Sequence, residues 1–213
     1  MIAFTPIDLP CKIPNRRKLT DYVLDNAITN LEYTSTLCMV ASRNPVNDWT
    51  DANEVFPESD RNYDLREDHT IYYAPGFAES FPELVDVLKL LPYKQLIGAA
   101  LNLHTDVLPP HRDDVDITGP MSPERYNILL TPHYNKRSFF ISKEERGEKI
   151  YPLIPENAPV YAFNNKDIWH GADIILDHRI ILVCAGILDK EQHEFLINKS
   201  VEKFENDGYV IRF

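Results

Sequence analysis

Leu96-Ile97-Gly98-Ala99-Ala100-Leu101-Asn102-Leu103 marks the point at which the texture of the sequence changes. This short aliphatic run is followed by others of the same kind, Tyr126-Leu130, Ser138-Ile141, Val160-Phe163 and Arg179-Ile187, separated by turn-forming residues. Such runs read as strands, and several in succession make an all-β core. Toward the N-terminus the pattern is helical instead. Ser80 and Glu83 have capping-box spacing ahead of Leu84, Val87, Leu88 and Leu91, and Pro82 is tolerated in a first turn. A helix is therefore expected to Leu90, stopped by Pro92. Leu19, Tyr22, Val23, Ala27, Ile28 and Leu31 recur at helical spacing and predict a packing helix over Arg17–Leu31. The polar stretch from Arg43 to His69, with Trp49 and Phe56 as its few large apolar residues, reads as a long loop or lid. After Asp189, Glu191–Phe204 sets Phe195, Leu196 and Phe204 among charges, a surface helix, and Tyr209–Phe213 reads as an extended tail.

The chain of 213 residues, 44% of them apolar, supports one core, so a single domain over 1–213 is expected. Its parts are a helical and loop segment over 1–93, a β core over 94–190 and a C-terminal helix and tail over 191–213. With 22 Lys and Arg against 33 Asp and Glu, the formal charge of -11 leaves no diffuse positive field, which argues against duplex nucleic acid as a partner. Cys11, Cys38 and Cys184 are odd in number and share no close spacing, so neither a disulfide framework nor a thiolate zinc site is indicated. Met1 to Pro10 has two prolines and an acid in place of a basic stretch and a long apolar run, and nothing later approaches spanning length. A soluble, cytoplasmic protein without a membrane partner is expected; composition carries no signal for an oligomeric state.

Pro109-Pro110-His111-Arg112-Asp113 puts an imidazole and a carboxylate two residues apart, which on an extended segment aims both at one side. A second imidazole, His170, stands in Asp167-Ile168-Trp169-His170-Gly171. Two histidines and one carboxylate form the facial triad of non-haem iron(II) oxygenases, which leaves coordination positions open. His-x-Asp alone is common, and this chain has a second match in His104-Thr105-Asp106. That one ends an aliphatic run already committed to the β core and reads as a strand end running into solvent. Pro109-Pro110 turns the chain and lets His111 begin a new extended segment, so His111 and Asp113 are the expected ligands. Arg179 heads the apolar run Ile180-Ile181-Leu182-Val183-Cys184, where a buried guanidinium is costly unless it meets an anion, and its planar fork suits a carboxylate. Tyr126 and Trp169 read as packing and wall residues, His133, His178 and His193 as solvent-facing, and Asp114 and Asp116 as rim residues. A zinc or nickel cupin-like enzyme of another reaction class and a non-enzymatic barrel binding module are the alternatives.

Leu108-Pro109-Pro110-His111-Arg112-Asp113, then Arg125-Tyr126-Asn127-Ile128-Leu129-Leu130, then Val160-Tyr161-Ala162-Phe163-Asn164-Asn165 through His170 to Arg179 occur in this order. In this the sequence resembles the 2-oxoglutarate/iron(II) dioxygenase superfamily, and within it the aspartyl/asparaginyl β-hydroxylase-like or bacterial proline-hydroxylase-like branch. The resemblance covers about Leu96 to Lys190. It implies a mainly β protein, a double-stranded β-helix (jelly roll, cupin-like) with N-terminal helices packed on the barrel and a short C-terminal helix. It implies Fe(II) on His111, Asp113 and His170, with Arg179 pairing with the distal carboxylate of 2-oxoglutarate. The branch's Arg-x-His pattern here reads Arg125-Tyr126-Asn127, which implies that Arg125 and Asn127 touch the co-substrate. The implied activity is hydroxylation of an amino-acid side chain, free or in a polypeptide, with release of succinate and CO2, ascorbate being a candidate reductant. The sequence departs from the pattern at Asn127, where the branch has His. It also departs from the aspartyl/asparaginyl β-hydroxylases proper, which lack a ligand carboxylate where this chain has Asp113.

Overall fold

The computed structural model describes residues 1–28, 35–55, 65–104, 107–113, 124–131, 139–173 and 179–213. Along the chain these form β1 (Ile2–Pro6), α1 (Arg16–Asp25), β2 (Ser35–Ser42), α2 (Ala52–Val55), β3 (Tyr72–Tyr73), α3 (Phe77–Ser80), α4 (Pro82–Leu90) and β4 (Tyr93–His104). There follow β5 (Leu108–His111), β6 (Glu124–Leu129), β7 (Phe139–Ser142), β8 (Val160–Phe163), β9 (Trp169–Ala172), β10 (Arg179–Leu188), α5 (Lys190–Phe204) and β11 (Ile211–Arg212). From β4 to β10 successive strands alternate between two antiparallel sheets. β4, β6, β8 and β10 lie in a large sheet of order β11-β1-β8-β6-β10-β4-β2-β3, and β5, β7 and β9 in a small one of order β5-β9-β7. This winding is a double-stranded β-helix, the jelly-roll architecture, with helices added.

The large sheet has two unlike faces because side chains along a strand alternate. On β10, Ile180, Leu182 and Cys184 join a core with Leu101 and Leu103 of β4, Leu19 and Val23 of α1, Phe77 of α3 and Leu84 and Leu88 of α4. This outer face is where the N-terminal helices pack. The opposite face meets the small sheet through aromatic rings: Phe139 of β7 lies 5.7 Å from Tyr161 and 5.2 Å from Phe163 of β8, and 6.4 Å from Phe4 of β1. Arg179 faces the same way, its guanidinium 5.4 Å from the Phe139 ring centroid.

The N-terminal part differs from the sequence reading. The described residues of 1–93 contribute three strands, β1, β2 and β3, to the large sheet as well as helices. β1 is buried on both faces from Ala3 to Pro6, so it shows none of the polar alternation that marks a half-exposed strand. α1 stops at Asp25, because Asn26 caps it with its backbone N–H and its Nδ2 both directed at the Tyr22 carbonyl; Leu31 lies outside the described residues. The expected capping box does not form. Ser80 ends α3, and α4 starts at Pro82 after Phe81, without a side-chain cap. Three residues of the proposed lid are anchored, Trp49 and Val55 in the helix-side core and Arg43 buried with its backbone N–H on the Ile97 carbonyl, whereas Leu65 is 43% exposed. Phe56 lies outside the described residues. The C-terminal helix begins as expected, Asp189 Oδ1 accepting from the Gln192 N–H, and buries Leu196 and Phe204 while Phe195 stays 70% exposed. The tail pairs with β1 as β11. No helix among the described residues is long and apolar enough to cross a membrane.

Candidate metal centre

β5 and β9 are neighbours in the small sheet with His111 opposite His170, which brings the two imidazole centroids to 4.3 Å. Gly171 makes this approach possible. A Cβ there would lie 2.5 Å from the Leu108 carbonyl oxygen, 3.0 Å from that of Pro109 and 2.7 Å from Phe140 Cζ, so any side chain would push β5 off β9. Each ring is oriented through Nδ1, 2.9 Å from the Pro109 carbonyl for His111 and 3.3 Å from the Ile168 carbonyl for His170. With Nδ1–H donating to those carbonyls, both Nε2 lone pairs are left for a ligand, the usual orientation of metal-binding histidines.

Both Nε2 atoms face Asp113 Oδ1, His111 at 3.8 Å and His170 at 3.5 Å. The ligand atoms of the three residues lie within 4.8 Å of one another. Atoms sharing one ion through bonds of about 2.0–2.2 Å lie roughly 3 Å apart when adjacent, so the trio needs only a small contraction to hold one. Asp113 sits just beyond β5, and its own N–H donates to the Asn165 carbonyl at 2.9 Å. Its other oxygen, Oδ2, accepts from Arg125 Nη1 at 2.8 Å and Asn165 Nδ2 at 2.6 Å. Burial pushes the Asp113 carboxyl up, but His170, the Arg125 charge and the Asn165 bond outweigh it and hold the group at about 2, ionised at neutral pH. His111 is pushed down, first by burial and then by the neighbouring His170, against the opposing pull of its Pro109 bond and of Asp113. An ionised carboxylate beside a readily deprotonated imidazole is the protonation state a divalent ion needs.

Behind this trio the inner face of the large sheet is polar. Arg179 is 5% exposed; its Nη2 donates to Tyr161 Oη at 3.3 Å, while its Nε has no partner among the described residues. Burial lowers its affinity for the proton, and no described carboxylate pairs with it. Asn127 Nδ2 and Asn102 Oδ1 are likewise buried without a partner among the described residues. His104 stands opposite Arg179 in the β4–β10 register and is pushed down to about 3 by burial, the Arg179 charge and His111.

The structure thus brings His111, Asp113 and His170 together. It places Arg179 and Asn127 on the inner face and sets Arg125 against Asp113. Two expectations change, those for His104 and His193, while Tyr126 and Trp169 keep their packing and wall roles. His104 is buried on the inner wall, not at a solvated strand end, because the β4–β10 ladder continues through it. His193 is half-buried with its Nδ1 2.7 Å from Tyr126 Oη. Tyr126 is fully buried, and Trp169 is a wall residue stacked by Arg112 at 5.0 Å. Asp106, Asp114, Asp116, His133 and His178 lie outside the described residues. Sequence reasoning missed Asn165 and Tyr161. Alternation along Val160-Tyr161-Ala162-Phe163 was a usable signal for Tyr161; nothing in the motifs singled out Asn165.

No protein-family model matches the chain, and no curated protein matches it. Similar solved structures exist. One is a prolyl hydroxylase from Trichoplax adhaerens in complex with a hypoxia inducible factor oxygen degradation domain peptide fragment, at 7% identity over 84% of this chain and 78% of that one, TM-score 0.46. Another is the viral collagen prolyl hydroxylase of Paramecium Bursaria Chlorella virus-1 as its 2-oxoglutarate complex, at 11% identity, 86% and 94% coverage and TM-score 0.44. A third is a 2-oxoglutarate-Fe(II) oxygenase family oxidoreductase from Burkholderia pseudomallei, at 10% identity, 80% and 78% coverage and TM-score 0.43.

Proposed function

We propose that the protein is a 2-oxoglutarate-dependent iron(II) oxygenase that hydroxylates an amino-acid side chain, free or within a polypeptide. The observation that carries this reading is the pairing of a preformed His111, Asp113, His170 trio with a buried guanidinium, Arg179, that no described carboxylate neutralises. A metal centre alone accounts for the trio but leaves Arg179 without a purpose; a dicarboxylate spanning the two accounts for both.

The residues fit the group. His111 and His170 would hold the ion through Nε2 and Asp113 through Oδ1. Arg179, helped by Tyr161, would bind the distal carboxylate, with Asn127 donating its Nδ2 to the same molecule. Bound iron(II) with 2-oxoglutarate and dioxygen supplies oxidative decarboxylation to succinate and CO2, coupled to hydroxylation of a substrate C–H bond. Phe139, Phe163 and Tyr161 pack together on the side that Arg179 faces, and apolar rings around a buried charge sharpen its hold on an anion.

The test is succinate release from 2-oxoglutarate with iron(II) and ascorbate, against a panel of amino acids and peptides. Release that depends on iron and rises with one member of the panel is the expected result. Tight iron binding with no measurable 2-oxoglutarate binding would point instead to a metalloenzyme of another reaction class.

A further inference from the structure

We infer that Arg125 is a positioning residue for the metal ligand Asp113, and that Arg125 and Asn165 together clamp that carboxylate so that it offers a single oxygen; this rests on the metal-centre reading above. The need for a clamp comes from the strand boundaries. β5 ends at His111, so no ladder bond fixes Asp113, whereas His111 and His170 are each held within paired strands. The clamp grips Asp113 at both ends. The Asn165 carbonyl takes the Asp113 N–H at 2.9 Å, and Asn165 Nδ2 and Arg125 Nη1 both donate to Oδ2, at 2.6 and 2.8 Å.

A free carboxylate can turn either oxygen, or both, toward a cation. Here two donors, one of them charged, occupy Oδ2, and Oδ1 is the oxygen that both imidazoles face. Asn165 is itself fixed: it is buried, and its N–H donates to the Phe163 carbonyl at 2.9 Å. Because it precedes β9 by only a few residues, it ties Asp113 to the strand that carries His170. Arg125 reaches the same oxygen from β6 in the facing sheet, so the ligand is braced from both sheets. This role differs from the co-substrate contact that the Arg-x-Asn pattern implies.

Cobalt(II) titration of the full chain separates the two roles, since its d–d absorption reports ligand geometry and its binding needs no turnover. Arg125→Met is expected to weaken cobalt binding about 10–100-fold, the usual cost of losing a group that orients a ligand. Its d–d spectrum should change, while the 2-oxoglutarate Kd at saturating cobalt stays near that of the wild type. Arg125→Lys, which keeps a donor and the charge, should recover part of the loss, and Asn165→Ala should shift affinity and spectrum in the same direction as Arg125→Met. Melting of the metal-free variants checks that folding is not the cause, and Asn165→Ala carries the test should Arg125→Met fail to fold. Unchanged cobalt affinity and spectrum in Arg125→Met, with weakened 2-oxoglutarate binding, would overturn the clamp while leaving the metal centre intact. Failure of the wild type to bind cobalt through His111, shown by comparison with His111→Ala, would overturn both.

Discussion

The two faces of the large sheet are both buried, yet they are built from different side chains. The outer face puts Leu101, Leu103, Ile180, Leu182 and Cys184 against helix residues, whereas the inner face buries Arg179, Asn127, His104 and an Asn102 oxygen. Apolar burial stabilises by roughly 25 cal/mol per Å², while each buried polar group without a partner costs about 1–3 kcal/mol. The outer face is therefore wholly stabilising, whereas the inner face, beside the aromatic cluster of Phe139 and Tyr161, carries groups that weaken the fold unless a ligand satisfies them. Stability and ligand binding should accordingly respond to different substitutions.

The largest effect is expected at the metal ligands. His111→Ala, Asp113→Ala or His170→Ala should abolish iron binding and iron-dependent turnover of 2-oxoglutarate, because a site of three ligands does not survive the loss of one. His104→Ala should keep turnover within about an order of magnitude, since His104 lies on the inner wall but outside the cluster of ligand atoms. Loss of activity in His104→Ala with activity retained in His111→Ala would break the site assignment.

On the outer face the response should appear in denaturation curves. Leu182→Ala removes a fully buried side chain from the helix-side core and should cost about 2–5 kcal/mol of stability. Its iron affinity per folded molecule should not change; a parallel loss of iron would mean that the two faces are not separable. Gly171→Ala crosses between the two classes. The added methyl meets backbone oxygens that cannot rotate away, so a cost of roughly 1–3 kcal/mol is expected. Because relief requires β5 to move off β9, weaker iron binding should accompany it, as a titration of the purified variant would show.

A different kind of response is a pH dependence. His104 is held at about 3 by burial and Arg179, below its ordinary 6.5, so the unfolded chain takes up this proton first as pH falls. Stability is therefore lost as pH drops through the window from 6.5 to about 3 and is fully present above it, with a slope of up to about 1.4 kcal/mol per pH unit from this group. His111, also lowered, acts in the same direction. In His104→Gln the denaturation midpoint should fall less steeply across that window; an unchanged slope would show that His104 is not held neutral by the fold.

The same contrast explains what the sequence disclosed. β6, β8 and β10 were legible because their aliphatic runs stand between turn formers, and Pro92 marked the end of α4. β1 and β2 were hidden, since a strand buried on both faces loses the alternation that separates it from other apolar segments. His111, Asp113 and His170 were legible because metal-ligand chemistry restricts both residue type and spacing. Asn165 was not, because a hydrogen-bonding amide in a loop has no required neighbours in sequence, and Arg125's engagement of Asp113 depends on bringing two sheets together. Arg179 was conspicuous as a charge heading an apolar strand, and it is the residue on which the inner face turns.

Arg179→Met therefore offers the most direct measurement: anaerobic calorimetric titration of 2-oxoglutarate into the iron-loaded wild type and variant, with urea denaturation of both metal-free proteins. Replacing a buried guanidinium that no described carboxylate neutralises by an apolar side chain of similar length should leave stability unchanged or raise it, while 2-oxoglutarate affinity falls roughly 30-fold or more and iron stays bound. Equal 2-oxoglutarate affinity in the two proteins, or a variant that loses stability without losing ligand, would contradict the claim that Arg179 is buried to receive a carboxylate.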